Sequence, residues 1–335
     1  MGRKEARELM GDFCHVCDDC DGKGCTGEVP GMGGAGTGAS FKANYNSLRE
    51  YKINMKVLHD VSQPETSTKI LGKKIAIPVL AAPIGGIKFN VSENITEKEY
   101  LKSVVQGCNK MGTLACAGDG VPDYVFETDI EVIKEEAGDI IPFIKPWEDN
   151  FLSKKLKKLK AETKVDTVGI DVDAIGLSTI ETMGKEILPR SVSNLMELLN
   201  NYSFNYIIKG IMTPEDARKA VNAGVDAIVV SNHGGRVLDY TPGVAEVLPA
   251  IAKEVGNDIT ILADGGIRSG NDVLKMIALG ADAVMIGRPI SIAAAGDLKS
   301  GVAEYLKQIR NELKKNMILT GCKDVSSINF DILYK

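Results

Sequence analysis

The sequence predicts an α/β protein: one (β/α)8 TIM barrel preceded by a short extension rich in cysteine and glycine. Three observations point there. Short apolar, largely β-branched runs recur eight times, with cores near 76–82, 113–117, 140–145, 167–172, 205–209, 227–231, 259–263 and 283–287. Amphipathic helical patterns separate them, as in Glu97–Met111, Phe151–Thr163, Ser193–Asn200, Pro214–Ala223 and Ala245–Val255. Glycines and polar residues gather where the apolar runs end. Strands alternating with helices imply a parallel sheet, and runs apolar on both faces are those covered on both sides. Eight such units favour closure into a barrel over an open sheet.

At 335 residues the chain suits one large barrel domain, assigned to 41–335, with the extension at 1–40. Hydrophobic residues make up 44% and charged residues 25%, enough apolar material for a sizeable core. The 40 basic and 45 acidic residues leave a formal charge of −5, which argues against a general nucleic-acid or anionic-membrane binder. No apolar run is long enough to span a bilayer, and MGRKEARELMGDF lacks the apolar core of a secretory signal. A cytoplasmic location is expected, where the seven cysteines are not a disulfide framework.

The extension is the least ordinary stretch. Cys14, Cys17, Cys20 and Cys25 form C-x2-C-x2-C-x4-C. Thiolates at this spacing can surround one ion or cluster. The first three follow a ferredoxin-type iron–sulfur run, while tetrahedral zinc also accepts four sulfurs, so both stay open. Asp18, Asp19 and Asp21 rule out a hydrophobic core strand. Gly22–Gly38 then holds eight glycines in 17 residues, too many for a helix or strand. With Pro30 and Met32 among them it is not a polar spacer either. A close-packed loop over the barrel mouth is expected, followed over 41–74 by a helix and short irregular pieces.

Strand 6 runs into Ser231-Asn232-His233-Gly234-Gly235-Arg236. Of the three histidines, only His233 follows a strand end; His15 and His59 do not. An imidazole titrates near working pH, so His233 is the candidate general base. Strand 7 runs into Asp264-Gly265-Gly266-Ile267-Arg268-Ser269-Gly270 and a helix from Asn271 to about Leu279. Strand 8 runs into Gly287-Arg288-Pro289. Glycines let backbone N–H groups approach a ligand, helix N-termini favour anions, and arginine offers a forked donor for phosphate. The loops after strands 7 and 8 are a frequent phosphate site in such barrels. No G-x-G-x-x-G turn opens a βαβ unit, so one phosphate is expected rather than a dinucleotide. After strand 1, Ala82-Pro83-Ile84-Gly85 offers small residues and bare backbone to a flat ring. After strand 5, Lys209 emerges from apolar neighbours. The final helix, Lys299–Asn316, is expected outside the barrel.

The runs SNHGGRVLDYTPG and LADGGIRSGNDVLKMIALGADAVMIGRP resemble the FMN-dependent α-hydroxy-acid oxidase and dehydrogenase family, that of glycolate oxidase, lactate oxidase and flavocytochrome b2. The likeness extends through KGIMTPEDARKAVNAG (209–224) and, more weakly, LGKKIAIPVLAAP (71–83). It covers 84–204 poorly and 1–40 hardly at all. The resemblance implies FMN, with Ala82, Pro83, Ile84 and Gly85 along the ring and Lys209 as a cation beside it; Lys145, from this chain's own sequence, would bring a second cation towards the ring. Ser231 and Asp264 would sit under the flavin and its ribityl chain, with Gly265, Gly266, Arg268, Gly287 and Arg288 around the phosphate. It implies His233 as base, Asp173 as its orienter, and Arg236 on the substrate's acid group.

Several positions depart from the family. Lys145 and Trp147 stand where the family has a glutamine and a tyrosine, and Asp171 stands in place of a neutral hydroxyl. The family's carboxylate-clamping arginine has no counterpart between Pro146 and Pro189, where Lys185 and Arg190 are the nearest cations. No tyrosine precedes Tyr45 to touch the substrate. The expected activity is oxidation of a 2-hydroxy acid, lactate-like, or a related hydroxyl-bearing substrate, by hydride transfer to flavin. Dioxygen or an electron-transfer partner would be the acceptor, and the family implies a homotetramer. The alternative is a non-redox isomerase of the type 2 isopentenyl diphosphate isomerase kind, against which the His233/Arg236 pair argues. A third reading is a lapsed barrel that binds a partner through its cysteines and glycines.

Overall fold

Eight parallel strands close into a barrel in a computed structural model that describes residues 2–178, 180 and 187–334. They are β1 (Val79–Ile84), β2 (Ala115–Gly118), β3 (Ile140–Ile144), β4 (Thr167–Asp171), β5 (Asn205–Ile211), β6 (Ala227–Val230), β7 (Thr260–Ala263) and β8 (Ala283–Ile286). Each pairs with its neighbours in sequence order, and β8 returns to β1. Both faces are covered. Leu80, Leu114, Cys116, Ile141, Phe143, Ile207, Val229, Leu262 and Met285 point into the barrel. The hairpin Thr68–Ile70/Lys73–Ile75 closes that inner core with Ile70 and Ile75. Phe143 fits because its β4 neighbour is Gly169, where a Cβ would lie 2.2 Å from the ring.

The longer helices among the described residues are α1 (Arg3–Met10), α2 (Ala39–Glu50), α3 (Glu97–Met111), α4 (Asp123–Glu135), α5 (Asp149–Glu162) and α6 (Val192–Asn201). After them come α7 (Pro214–Ala223), α8 (Val244–Val255), α9 (Gly270–Ala278), α10 (Arg288–Gly296) and α11 (Gly301–Thr320). Helices α3 and α7 keep the predicted bounds because their ends are written locally. Thr96 and Glu99 form a capping box and Gly112 ends α3 in the left-handed region; Thr213, Pro214 and Gly224 do the same for α7. No helix among the described residues is long and apolar enough to cross a membrane.

The extension is docked on the barrel. Helix α1 packs on α10 and buries Ala6 and Met10, while Arg3 and Arg7 bind Asp18 and the carbonyls of residues 16–18. The glycine-rich loop lies over the mouth as expected: Ala35 N donates to Gly235 O at 2.9 Å, and Asp239 accepts from Ala39 N at 2.9 Å and from both N and Oγ1 of Thr37.

Candidate active site

The C-terminal ends of β4, β5 and β6 bring three predicted residues into contact. Strand register sets Asp171 beside Lys209, and Lys209 Nζ donates to Asp171 Oδ1 at 2.8 Å. The ladder then bulges between Lys209 and Ile211 at Gly210, whose φ is +110°. A Cβ on Gly210 would lie 2.6 Å from the Cβ of Asp173, so the glycine makes room for that aspartate. His233 reaches it from β6: Nδ1 stands 3.0 Å from Asp173 Oδ1 and 3.2 Å from Lys209 Nζ. His233 itself has φ +57°, with Gly234 and Gly235 also left-handed. A non-glycine residue in that region at a strand end is the kind of strain that surrounding contacts must hold. Here Ser231 Oγ accepts from His233 N at 3.0 Å and donates to Asp264 Oδ2 at 2.8 Å. Asn232 Oδ1 accepts from Gly235 N at 3.1 Å and from Asn44 Nδ2 at 2.7 Å.

The cluster is buried and its charges are strongly coupled. Burial, reinforced by the Lys209 ammonium, holds His233 well below the usual imidazole range. Burial also holds Asp173 well above the usual carboxylate range. Asp171 goes the other way: burial would raise it, but Lys209, His233 and Lys145 together pull it below the ordinary range. Asp171, Asp173 and His233 lie close enough to hold a metal ion, yet the Lys209 ammonium already bonds to Asp171 among them.

Two departures from the family turn out to face each other. Lys145 Nζ lies 3.7 Å from Asp171 Oδ2, so a buried ion pair replaces two neutral groups. A second buried group escaped sequence reasoning. Asp119, just beyond β2, accepts from Trp147 Nε1 at 2.5 Å and from Lys145 N at 3.2 Å, and it pairs with Lys155 Nζ. Trp147 is therefore held inward by a carboxylate.

The cavity enclosed by these strand ends has about 1190 Å³ free of protein atoms, partly open to solvent. Ala82, Pro83, Ile84, Gly85, Lys145, Lys209, His233, Arg236, Asp264, Gly265, Gly266, Arg268, Gly287 and Arg288 line it, as does Met32 from the extension. Asp173 and Ser231 stand behind this wall, touching His233 and Asp264. Arg236 is held by Asn90, Nη2 to Oδ1 at 2.7 Å, while its Nε is buried without a partner; burial brings its pKa down to about 10. Arg190 is turned away, bound to Asp149 and to the Trp147 carbonyl, and Tyr45 donates to Asp19 outside the cavity. Lys185 lies outside the described residues. Arg268 and Arg288 are where the sequence puts them, but their guanidinium groups are also tied to the extension. Arg268 Nε and Nη2 donate to Cys20 O at 3.1 and 2.9 Å. Arg288 donates to Met32 O at 2.6 Å, Gly33 O at 2.8 Å and Gly234 O at 3.0 Å.

Three features fit FMN. The wall is bare: a Cβ on Gly85 would lie 1.7 Å from Gly118 O, so β1 and β2 meet there backbone to backbone. Asp264 Oδ1 is buried without a partner, an acceptor waiting for a hydroxyl. Helix α10 starts at Arg288 on the cavity wall, an end that attracts phosphate.

A single phosphate, a flat ring and a base beside it are the demands that a barrel oxidoreductase using FMN makes. The sequence family described as FMN-dependent dehydrogenase matches residues 31–193 and 179–335, and the chain belongs to it. The chain is 31% identical to a peroxisomal (S)-2-hydroxyacid oxidase of Arabidopsis thaliana, over 88% of each chain. It is 30% identical to an L-lactate dehydrogenase of Caulobacter vibrioides, over 90% of this chain and 91% of the relative. Among solved structures it resembles a lactate oxidase of Pediococcus acidilactici, with a TM-score of 0.81 at 25% identity over 99% of this chain and 92% of that one. It also resembles flavocytochrome b2 with pyruvate bound, with a TM-score of 0.77 at 25% identity over 90% of this chain and 80% of that one.

Proposed function

We propose that the protein oxidises a 2-hydroxy acid to the 2-oxo acid with FMN, the single carrying observation being His233 held between Asp173 and Lys209 on the cavity wall. FMN, when bound, supplies the acceptor for the hydride leaving the substrate carbon. Nδ1 of His233 faces Asp173 and Lys209, which leaves Nε2 for the substrate hydroxyl. For Nε2 to take that proton, Nδ1 must carry the ring hydrogen and donate it to Asp173 Oδ1, its nearest oxygen. Asp173 then stabilises the imidazolium that forms. Lys209, anchored on Asp171, holds positive charge fixed beside the reacting centre. Arg236, with an unused buried Nε, binds the substrate carboxylate, and Lys145 adds a second cation on the same wall. The relatives named above are an oxidase and a dehydrogenase, so the isomerase alternative is not favoured.

Finer parts of the reading are proposals too. The cysteines would take an iron–sulfur cluster or zinc, and the electron acceptor would be dioxygen or a partner protein. Seven free thiols suit a reducing cytoplasm. The exposed Met55, Val57 and Leu58 support self-association into a homotetramer, which light scattering would test. The activity itself is tested by adding a panel of 2-hydroxy acids anaerobically and following flavin absorbance. Bleaching with release of one equivalent of 2-oxo acid is expected; a panel that leaves fully flavin-loaded protein oxidised would refute it.

A further inference from the structure

Cys14, Cys17, Cys20 and Cys25 lie on one segment between α1 and the glycine-rich loop, each half-buried and none in a disulfide. The acidic residues threaded among them are already engaged. Asp18 pairs with Arg3 at 2.9 Å, Asp21 with Lys23 at 2.7 Å, and Asp19 accepts from the Tyr45 hydroxyl. His15, between the first two cysteines, holds Glu28 Oε1 through Nε2 at 3.0 Å, and the four sulfurs remain as donors for a metal. Two of them accept N–H bonds: Cys14 Sγ from Val16 N and Cys20 Sγ from Arg268 Nη2, both at 3.4 Å. Bonds of this kind tune clusters held by cysteine.

The backbone is shaped for this as well. Val16 is fully buried with φ +47°, a costly conformation for a β-branched residue. Cys20 stands within electrostatic reach of Cys14, Cys17 and Cys25.

We propose that these four sulfurs hold an iron–sulfur cluster seated against the phosphate-end arginines of the barrel. The geometry favours this over zinc. A tetrahedral zinc, with bonds of about 2.3 Å, would draw its sulfurs to within roughly 4 Å of one another. Among the described residues only Asp171, Asp173 and His233 form a set of three ligand atoms within 4.8 Å, so no three of the thiol sulfurs are drawn together as a single zinc ion would draw them. The C-x2-C-x2-C spacing is that of a cluster loop. Arg268, bonded to both O and Sγ of Cys20, and Arg288, bonded to the glycine loop, supply positive charge beside an anionic cluster. The cluster would thereby hold the extension closed over the end of the cavity where Arg268 and Arg288 stand. This inference rests on the metal reading of the cysteines and is independent of the hydroxy-acid chemistry.

The test is metal analysis of the full chain purified anaerobically without chelators. Iron and acid-labile sulfide should be present in equal amounts, with a dithionite-reducible paramagnetic signal distinct from a flavin radical. Cys17→Ser and Cys20→Ser should each lose the iron, while Cys322→Ala, a buried thiol beyond α11, should keep it. FMN released by heat and far-UV circular dichroism are measured on the same samples, and the wild-type analysis decides the matter should a variant fail to fold. Stoichiometric zinc without sulfide, or four thiols freely alkylated in folded metal-free protein, would overturn the proposal. FMN without iron would leave the flavin reading standing, and iron without FMN the reverse.

Discussion

Lys209 Nζ stands 3.2 Å from His233 Nδ1, an ammonium held against the imidazole on the side away from the substrate space. Burial lowers the imidazole pKa most, and this cation lowers it further. A base works in its neutral form, which is populated above its pKa, so lowering the pKa extends activity to more acidic pH. The rate of flavin reduction should therefore hold level through neutrality and fall only below about 6.5, the ordinary imidazole value. Lys209→Met should slow reduction by roughly 10²-fold or more, the usual cost of a removed electrostatic stabiliser. It should also move the acidic limb upward. A limb that stays in place, or moves down, would separate Lys209 from His233.

Gly210 is the hinge of the bulge that admits Asp173. With φ at +110° and a Cβ that would lie 2.6 Å from Asp173 Cβ, Gly210→Ala should displace the aspartate from Nδ1. Flavin should stay bound while flavin reduction falls at least about 10-fold, since a mis-oriented base loses part of its usual 10²–10⁴ contribution. Wild-type rates in the variant would mean Asp173 does not orient His233.

Lys145 and Asp171 should behave as a pair. Asp171→Thr leaves two buried ammonium groups facing each other and should cost on the order of 3 kcal/mol, as breaking a buried ion pair does. Adding Lys145→Gln should recover part of that loss, with a coupling of roughly 0.5–3 kcal/mol in a double-mutant cycle from urea unfolding. Strict additivity would show that the two departures from the family are unrelated.

The barrel could be read from the chain because its elements announce themselves locally. Thr96 and Gly112, or Thr213, Pro214 and Gly224, bracket helices within a few residues, and each apolar run contains a strand, although its bounds differ by a few residues. Helix α4 follows Pro122 with no capping side chain, and no comparable signal marked it. His233 and Lys209 were legible because strand ends in a parallel barrel converge, whereas Asp173 was legible only through the family resemblance. Asp119 was not: its partners Trp147 and Lys155 lie 28 and 36 residues away, and an Asp-Gly pair reads as a turn. The ties of Arg268 and Arg288 to Cys20, Met32 and Gly33 span about 250 residues, and no spacing or period signals them.

Those ties give Arg268 and Arg288 two tasks, lining the cavity and docking the extension. Arg268→Ala with Arg288→Ala should weaken FMN retention and also raise proteolytic cleavage between residues 11 and 38. Full FMN occupancy in the double variant would remove both residues from the cofactor site. Unchanged proteolysis would remove them from the docking of the extension.

The central claim is that His233 takes the hydroxyl proton. Its contacts with Asp173 and Lys209 lie just beyond β4 and on β5, whereas the expected ribityl and phosphate contacts lie beyond β7 and β8. The two functions can therefore be separated by one substitution. The direct measurement is anaerobic stopped-flow flavin reduction by a 2-hydroxy acid that the wild type accepts, compared with His233→Ala at matched FMN content. The account predicts retained FMN and a rate lower by roughly 10²–10⁴, the usual contribution of a positioned base. Equal rates in the two proteins would contradict it.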